Sequence, residues 1–409
     1  MSFTRRALGQ GDVDMLVMAH ERFVEGRAGG RRLSLKFMAL DGLNLAGRNL
    51  EEADFTGCSL RGTRLSGARL NRAVLFCCDM READLSSAQL VKADLRGACL
   101  RGADLARADL TQADFREGVI AIPHATKGLS SVKHETHQGN ADGASFTGAT
   151  LNGATLEGFS AFKVDFTDCA MKDTRLTRAN LKDADLSGAL MEGADVGGAN
   201  LSGARMIGAI LTHVAFDTAR TERTDMTGCL REPTLEAITE ADALLEQALD
   251  ANAWAESGGV LGAPANFEGK DLRPLGARLK GLKLPALNAK GACMVGMDLS
   301  GVPLQGANLE GADLRGCNLR GVDLRGARMM RAILSHADLD GAILAALPLG
   351  GGRSMPTNLS DAGLRYARLV ATDFTGAVMD RADLTGARTD AAVLSEAQKA
   401  SLTIRRAAA

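Results

Sequence analysis

A leucine or another large apolar residue recurs at every fifth position through long stretches of this chain, and a small residue stands two places before it. Neither regular element has this period, because an α-helix repeats every 3.6 residues and a strand every two. A straight helix would spread such residues around its circumference, and a flat strand would alternate them between its faces. The spacing therefore predicts a chain that turns at every repeat, so that these residues share one interior.

The repeat reads Ala-Asp-Leu-Arg-Gly at residues 93–97 and Ala-Asn-Leu-Glu-Gly at residues 307–311. This motif resembles the bacterial pentapeptide-repeat family over most of the chain. The resemblance implies an all-β solenoid, a right-handed quadrilateral parallel β-helix in which one repeat forms one side and four sides form a coil. It also implies that the large and the small residue point inward. The expected core ladder includes Leu95, Leu100, Leu105, Phe146, Phe166, Leu309, Leu314 and Leu319.

Stacking of coils is obligatory on energetic grounds. Each coil would bury about four large side chains at roughly 1.5–3 kcal/mol each, which a single repeat could not do alone. Residues twenty apart, such as Phe146 and Phe166, should therefore lie above one another. We interpret the cysteines at the small inward position as core residues of a reduced protein and not as a disulfide framework. They are Cys58, Cys78, Cys169, Cys229 and Cys317.

Breaks in the five-residue rhythm divide the chain into segments. The predicted segments are an N-terminal helical cap at 1–32, a first solenoid at 33–231 with a loop excursion at 121–143, an acidic helix and linker at 232–265, a second solenoid at 266–390 with an excursion at 345–357, and a C-terminal capping helix and tail at 391–409. Caps are needed because an open coil end exposes leucines and unpaired backbone. Asp12 and Asp390 are the expected N-caps of the two terminal helices.

The long helix should begin at Pro233 and carries no Lys or Arg between residues 232 and 256. Two interpretations stay open: a helix packed on the solenoid with a solvated acidic face, and a docking element for a basic partner. Its expected apolar stripe consists of Leu235, Ile238, Leu244, Leu245, Leu249 and Trp254.

The excursion at 121–143 contains three histidines. His134 and His137 have a spacing that suits a metal, but the further ligands that zinc requires are missing, so we expect no metal and no cofactor. The segment is either a mobile polar loop or a contact loop, since loops on rigid scaffolds often carry function. The candidate partner contacts of the whole chain are His124, His134, His137, Glu236, Glu240, Glu246, Asp250 and Trp254.

Composition narrows the classes of function. The chain has 48 Lys and Arg against 50 Asp and Glu, a balance that gives no general attraction to nucleic acid or to an anionic membrane. Arg315, Arg320 and Arg325 should fall on successive sides of a coil instead of one face, which argues against a phosphate-binding stripe. The aspartates occupy the turn position and the histidines are scattered, so no catalytic constellation is expected. Without an apolar signal or spanning stretch, we expect a cytoplasmic protein with no membrane contact.

Two functions remain. The first is a non-enzymatic protein-protein interaction scaffold that presents loops and an acidic helix on a rigid β-helix. The second follows from the resemblance, because some family members resemble B-form DNA, bind type II topoisomerases (gyrase or topoisomerase IV) and protect them from quinolones. Such mimicry needs a dense negative surface, which this balanced chain lacks, so the scaffold is preferred. The resemblance also allows a homodimer through the C-terminal helix.

Overall fold

The computed structural model describes residues 5–124, 128–396, 398 and 399, with the backbone alone described for residues 122–124 and 128–133. The chain divides into two compact units, Met1–Glu232 and Pro233–Ala409, each with its own hydrophobic core. No helix in the described part of the chain is long and apolar enough to cross a membrane. The elements outside the coils are β1 (Arg6–Ala7), α1 (Gln10–Val24), β2 (Met38–Ala39), β3 (Gly118–His124), β4 (Gly128–His137), α2 (Leu235–Glu256), a 3-10 segment (Arg273–Leu279), β5 (Leu347–Gly350) and β6 (Arg353–Met355).

Each five-residue repeat forms one side of a coil and ends in a tight turn. In the repeat around Leu95, the N–H of Ala98 donates to the carbonyl of Leu95 at 3.0 Å and closes the turn. Gly97 has a φ of +66°, and the same position has a positive φ in every repeat from Phe37 to Gln112. A type II turn requires such a φ at its third residue, and glycine adopts it without strain. Turn geometry thus explains the frequent glycine at the end of the repeat.

Four sides complete a coil, so equivalent residues of successive coils are twenty apart. Asp94 bridges Asp114 in parallel, and the N–H of Leu95 donates to the Asp114 carbonyl at 2.8 Å. Phe146 and Phe166 lie above one another with ring centroids 5.0 Å apart. The residues of the expected core ladder are at most 1% exposed: Leu95, Leu100, Leu105, Phe146 and Phe166 in the first unit and Leu309, Leu314 and Leu319 in the second.

The small inward position accepts cysteine because each buried thiol finds a backbone acceptor on the preceding coil. The thiol of Cys78 donates to the carbonyl of Phe55, and the thiol of Cys169 donates to the carbonyl of Phe146, both at 2.9 Å. Burial raises the pKa of both thiols well above the ordinary value. All eight cysteines are free thiols. The five at the small inward position each donate to a backbone carbonyl of the preceding coil, so these five act as small core groups with a satisfied donor.

α1 packs on the first coils of the first unit. Val13 and Val17 belong to the hydrophobic core, and His20 is fully buried beside them. The helix starts after Gly9, and no side chain caps it, so the expected N-cap at Asp12 is wrong. Asp12 lies in the first turn instead, where its negative charge favours the helix dipole.

Two antiparallel hairpins, β3–β4 and β5–β6, interrupt the coils. Most bridge partners in the coils are four repeats apart, but Cys99 bridges Asn140 and Arg328 bridges Asn358. The first hairpin therefore adds four further repeats and one extra residue, and the second adds two whole repeats. Whole repeats preserve the phase of the rhythm, whereas the one extra residue shifts it. The first excursion also begins earlier than expected, at Gly118 instead of residue 121.

α2 begins the second unit and packs on its first coil. Thr234, not Pro233, precedes the helix, and its hydroxyl accepts the N–H of Ala237 at 3.2 Å. The buried side of α2 consists of Ala237, Ala241, Leu244, Ala248 and Ala251. All of these but Ala237 share one core with Phe267 and Leu272 of the coil. The expected apolar stripe is wrong for three members that face outward, Leu235, Ile238 and Leu249.

The end of the second unit also differs from expectation. Val393 still belongs to a coil, because it bridges Asp373 in parallel. The N–H of Gln398 donates to the Ser395 hydroxyl at 3.3 Å, and the N–H of Ser395 donates to the Gln398 side-chain oxygen at 2.7 Å. This reciprocal pair is a capping box. The helix start expected at Asp390 is therefore wrong. Most of the predicted segment 391–409, and with it the expected dimer contact, lies outside the described residues.

Candidate protein-binding surfaces

Many charges on the outward surface are paired within their own coil. In Asp-Leu-Arg repeats the guanidinium folds back on the aspartate two residues earlier, at 2.8 Å for Arg96 and 2.7 Å for Arg325. Arg320 lies 3.4 Å from Asp338 of the next coil. Such exposed pairs add little stability, but they cancel charge locally. The same arrangement occurs at Asp79–Arg81, Asp114–Arg116, Asp271–Arg273 and Asp313–Arg315. Arg315, Arg320 and Arg325 of the second solenoid are therefore ion-paired and form no free cationic stripe.

The β3–β4 hairpin has an inner and an outer face. Opposed residues of an antiparallel pair share a face, and the faces alternate along each strand. Ile120, opposite Glu135, is only 6% exposed, whereas Val119, opposite Thr136, is 55% exposed. The outer face of the described strands therefore carries Val119, Ala121, His134 and Thr136.

The inner face of this hairpin rests on a column of turn residues. A Cβ added at Gly57 would lie 3.1 Å from the Ile120 side chain, and one added at Gly97 would lie 3.1 Å from the Gly118 nitrogen. Cys77 stands between these two corners, and burial raises the pKa of its thiol to about 11. Glycine lets the hairpin approach, and Cys77 is a packing residue beneath it. The start of the hairpin, at Gly118 and Ile120, is thus packed on the coils.

The histidines of the hairpin do not converge. His134 and His137 are three residues apart on β4, so they lie on opposite faces and cannot share a metal ion. His134 is exposed on the outer face, and the Nε2 of His137 lies 3.6 Å from the Glu135 carboxylate on the inner face. The side chain of His124 lies outside the described part. Elsewhere among the described residues, no three metal-binding side chains cluster.

Two of the acidic candidates on α2 are engaged by the second unit itself. Lys270 donates to the Glu240 carboxylate at 2.9 Å. The N–H of Ala263 donates to the Asp250 carboxylate at 3.0 Å and ties the segment after the helix to α2. Trp254 is half-buried near the end of the helix. The contacts of Glu240, Asp250 and Trp254 thus lie within the second unit, and these three candidates contribute mainly to its structure.

The other two acidic candidates are exposed on α2. Glu236 and Glu246 are exposed and have no ion-pair partner among the residues that the structure describes. Leu235 is 81% exposed, and Ile238 and Leu249 are each 51% exposed. Leu235, Ile238, Glu246 and Leu249 lie on the side of α2 away from its buried alanines, and we define these four residues as the α2 outer surface; Glu236 lies on the flank of the helix. The histidine candidates and this surface belong to different units.

Sequence reasoning missed which side of α2 is buried. The buried residues follow the 4-3-4-3 spacing of one helix face, but four of the five are alanines, whose hydrophobic signal is weak. The stronger hydrophobic signal of the leucines therefore led to the prediction of the wrong buried side. Alanine suits the buried side because it lets the helix approach the 3-10 segment, against which α2 packs.

Comparison with known proteins agrees with the fold. The family profile described as pentapeptide repeats matches eight times, at residues 40–75, 78–116, 142–178, 162–198, 184–220, 286–321, 307–344 and 357–388. These matches cover more than half of the chain, so the chain belongs to the pentapeptide-repeat family. The coils are therefore those of a right-handed β-helix, a repeat scaffold.

Solved structures of the same class are similar at low identity. QnrB1, described as a plasmid-mediated fluoroquinolone resistance protein, is 17% identical over 51% of this chain and 96% of its own, with a TM-score of 0.27. HetL from the cyanobacterium Nostoc sp. strain PCC 7120, described as involved in heterocyst differentiation regulation, is 21% identical over 91% and 97%, with a TM-score of 0.15. Rfr23 from the cyanobacterium Cyanothece 51142 is 21% identical over 34% and 91%, with a TM-score of 0.21. No curated protein sequence matches the chain.

Proposed function

We propose that this chain is a non-enzymatic, cytoplasmic interaction scaffold that binds a protein partner through the α2 outer surface. The observation that carries the proposal is the orientation of α2, whose alanines pack inward while Leu235, Ile238 and Leu249 face outward. A single exposed leucine needs no explanation, but several on one side of one helix make a patch of the kind that marks interaction sites.

The charge of this surface specifies the chemistry of the partner. Glu236 and Glu246 are free to pair, and α2 has no basic residue in its last turn. A basic amphipathic helix fits, because its apolar face would cover Ile238 and Leu249 while a lysine or arginine meets Glu246, three residues before Leu249 on the same side of α2. The outer face of the β3–β4 hairpin, with His134, is a second contact surface of the scaffold.

DNA mimicry directed at gyrase or topoisomerase IV is the alternative. Duplex DNA carries about one negative charge per 1.7 Å of axis. Here 48 basic residues offset 50 acidic ones, and repeated Asp-Leu-Arg pairs cancel charge along the coils. This balance argues against the alternative and favours a partner recognised by local apolar contact.

The test is affinity capture from a lysate of the source cell with three forms of the full chain. The wild type and the control Ala243→Asp, which adds a charge at another exposed position of α2, should retain the same partner. The double variant Ile238→Asp/Leu249→Asp should lose it. The purified partner should then bind more weakly to Glu246→Lys in calorimetry, with a reduced salt dependence.

Two results would count against the proposal. Equal retention of every captured protein by the double variant would remove the α2 outer surface from binding. If a stoichiometric amount of this protein changed the supercoiling activity of gyrase or its sensitivity to quinolones, the result would instead support the DNA-mimic alternative.

A further inference from the structure

The outward side of α1 is a second apolar helix surface, on the first unit. Its buried side packs Val13 and Val17 into the core. The other side exposes four large apolar residues, more than a helix that only covers a coil end requires. They are Met15 (65% exposed), Met18 (51%), Phe23 (42%) and Leu16 (40%).

The charges on this side have an order along the helix. Asp12, Met15, Ala19 and Arg22 follow the 3-4-3 spacing of a single helix face. Asp12 lies near the start of α1 and Arg22 in its last turn, and both are exposed. Within the described residues neither has an ion-pair partner. The face is therefore negative at one end, positive at the other and apolar between.

We propose that this face pairs with the same face of a second copy of the chain, with the two α1 helices antiparallel about a two-fold axis that crosses the outward side of α1 at the level of residue 17. Residues whose numbers add to 34 then face each other. Asp12 of each copy meets Arg22 of the other, and Met15 meets Ala19. A surface that complements itself in this way is the requirement for a two-fold symmetric interface.

The local chemistry suits this occupant better than an unrelated partner. Ala19 is small and leaves space for the flexible Met15 side chain. Antiparallel helices also place opposite dipole ends together. One helix face per copy is well below the ~1,600 Å² of a standard interface. The dimer is therefore weak and depends on protein concentration.

Charge reversal in the full chain tests this pairing. Sedimentation velocity, over roughly two decades of concentration, would compare the wild type, Asp12→Arg, Arg22→Asp and the double variant. Each single variant places like charges together twice and should weaken dimerisation about tenfold or more. The double variant restores opposite charges and should dimerise as the wild type does. Arg64→Asp, an exposed reversal on a coil, is the control and should have no effect.

The outcomes separate the alternatives. Monomers at every concentration would overturn the proposal, as would a dimer that all variants form equally or one that the double variant fails to restore. Met18→Lys gives an independent reading, since this exposed change should not unfold α1 but should abolish the dimer. A dimer retained by Met18→Lys would place the interface elsewhere.

Discussion

Replacing Ala248 with aspartate tests whether α2 is an integral part of the second unit. Ala248 is fully buried between the helix and the first coil, in the same core as Phe267. Ala248→Asp would bury a carboxylate without a partner, which costs at least about 3 kcal/mol of unfolding free energy. Ala243→Asp is the matched control, because it adds the same side chain at an exposed position of the same helix. The control should cost only the difference in helix propensity, about 0.5 kcal/mol.

Trp254 makes this comparison specific to the second unit. It is the single tryptophan of the chain and lies on α2, so its fluorescence during urea unfolding follows this unit. With a slope of about 1–3 kcal/mol per molar urea, Ala248→Asp should lower the midpoint by about 1–3 M and Ala243→Asp by about 0.5 M or less. Equal midpoints for the two variants would refute the packing of α2 on the coil.

Three further predictions follow from the first unit. Gly97→Ala should destabilise by about 1–3 kcal/mol more than Gly102→Ala, because both have a φ near +65° but only a Cβ at Gly97 would crowd the hairpin backbone; chemical unfolding and proteolysis of the hairpin would measure it. Burial lowers the pKa of His20, whose Nδ1 accepts the N–H of Leu33 at 3.1 Å. The buried neutral imidazole should therefore contribute fully to stability above about pH 6.5, and this contribution should decline as the pH falls below that value. In urea melts of His20→Gln this decline should be absent. The thiols of Cys77 and Cys78 should resist a thiol reagent at about pH 8 in the native protein and react fully in urea, and rapid labelling of the native protein would contradict their burial.

The contribution of Glu21 to stability should be lost at a lower pH than that of His20, so the two can be distinguished. The hydrogen bond from Arg48 lowers the pKa of Glu21. The stability from that pair should be present above about pH 4.5, the unfolded value, and be lost as the pH falls further. Loss of stability between about pH 6.5 and 5 would thus be assigned to His20 and not to this ion pair.

The interior of the coils could be predicted from the sequence because the five-residue rhythm is a local property. Once each repeat turns, the same position always faces inward, and Leu100 and Leu314 are both fully buried. The phase of the rhythm also carries information about each insertion. An insertion of whole repeats, as before Asn358, leaves the phase unchanged, and the one extra residue inserted before Asn140 shifts it.

The orientation of the added elements could not be predicted, because it depends on contacts between distant residues. The packing of Ile120 over Gly57 joins residues that are far apart in the chain. On α2, the hydrophobic signal of Leu235 and Ile238 exceeds that of the alanines that the coil accepts. The candidate surfaces therefore emerged only when the outer sides of α1, α2 and the hairpin were known.

Site-specific photocrosslinking in the source cell would test the central claim, that the outer side of α2 binds a protein partner. A photoreactive residue would replace Ile238 or Leu249 on this surface, or Arg64 on an exposed coil of the first unit. The account predicts one common adduct from positions 238 and 249 and none from position 64. An adduct from position 64, or the absence of adducts from both α2 positions, would contradict it.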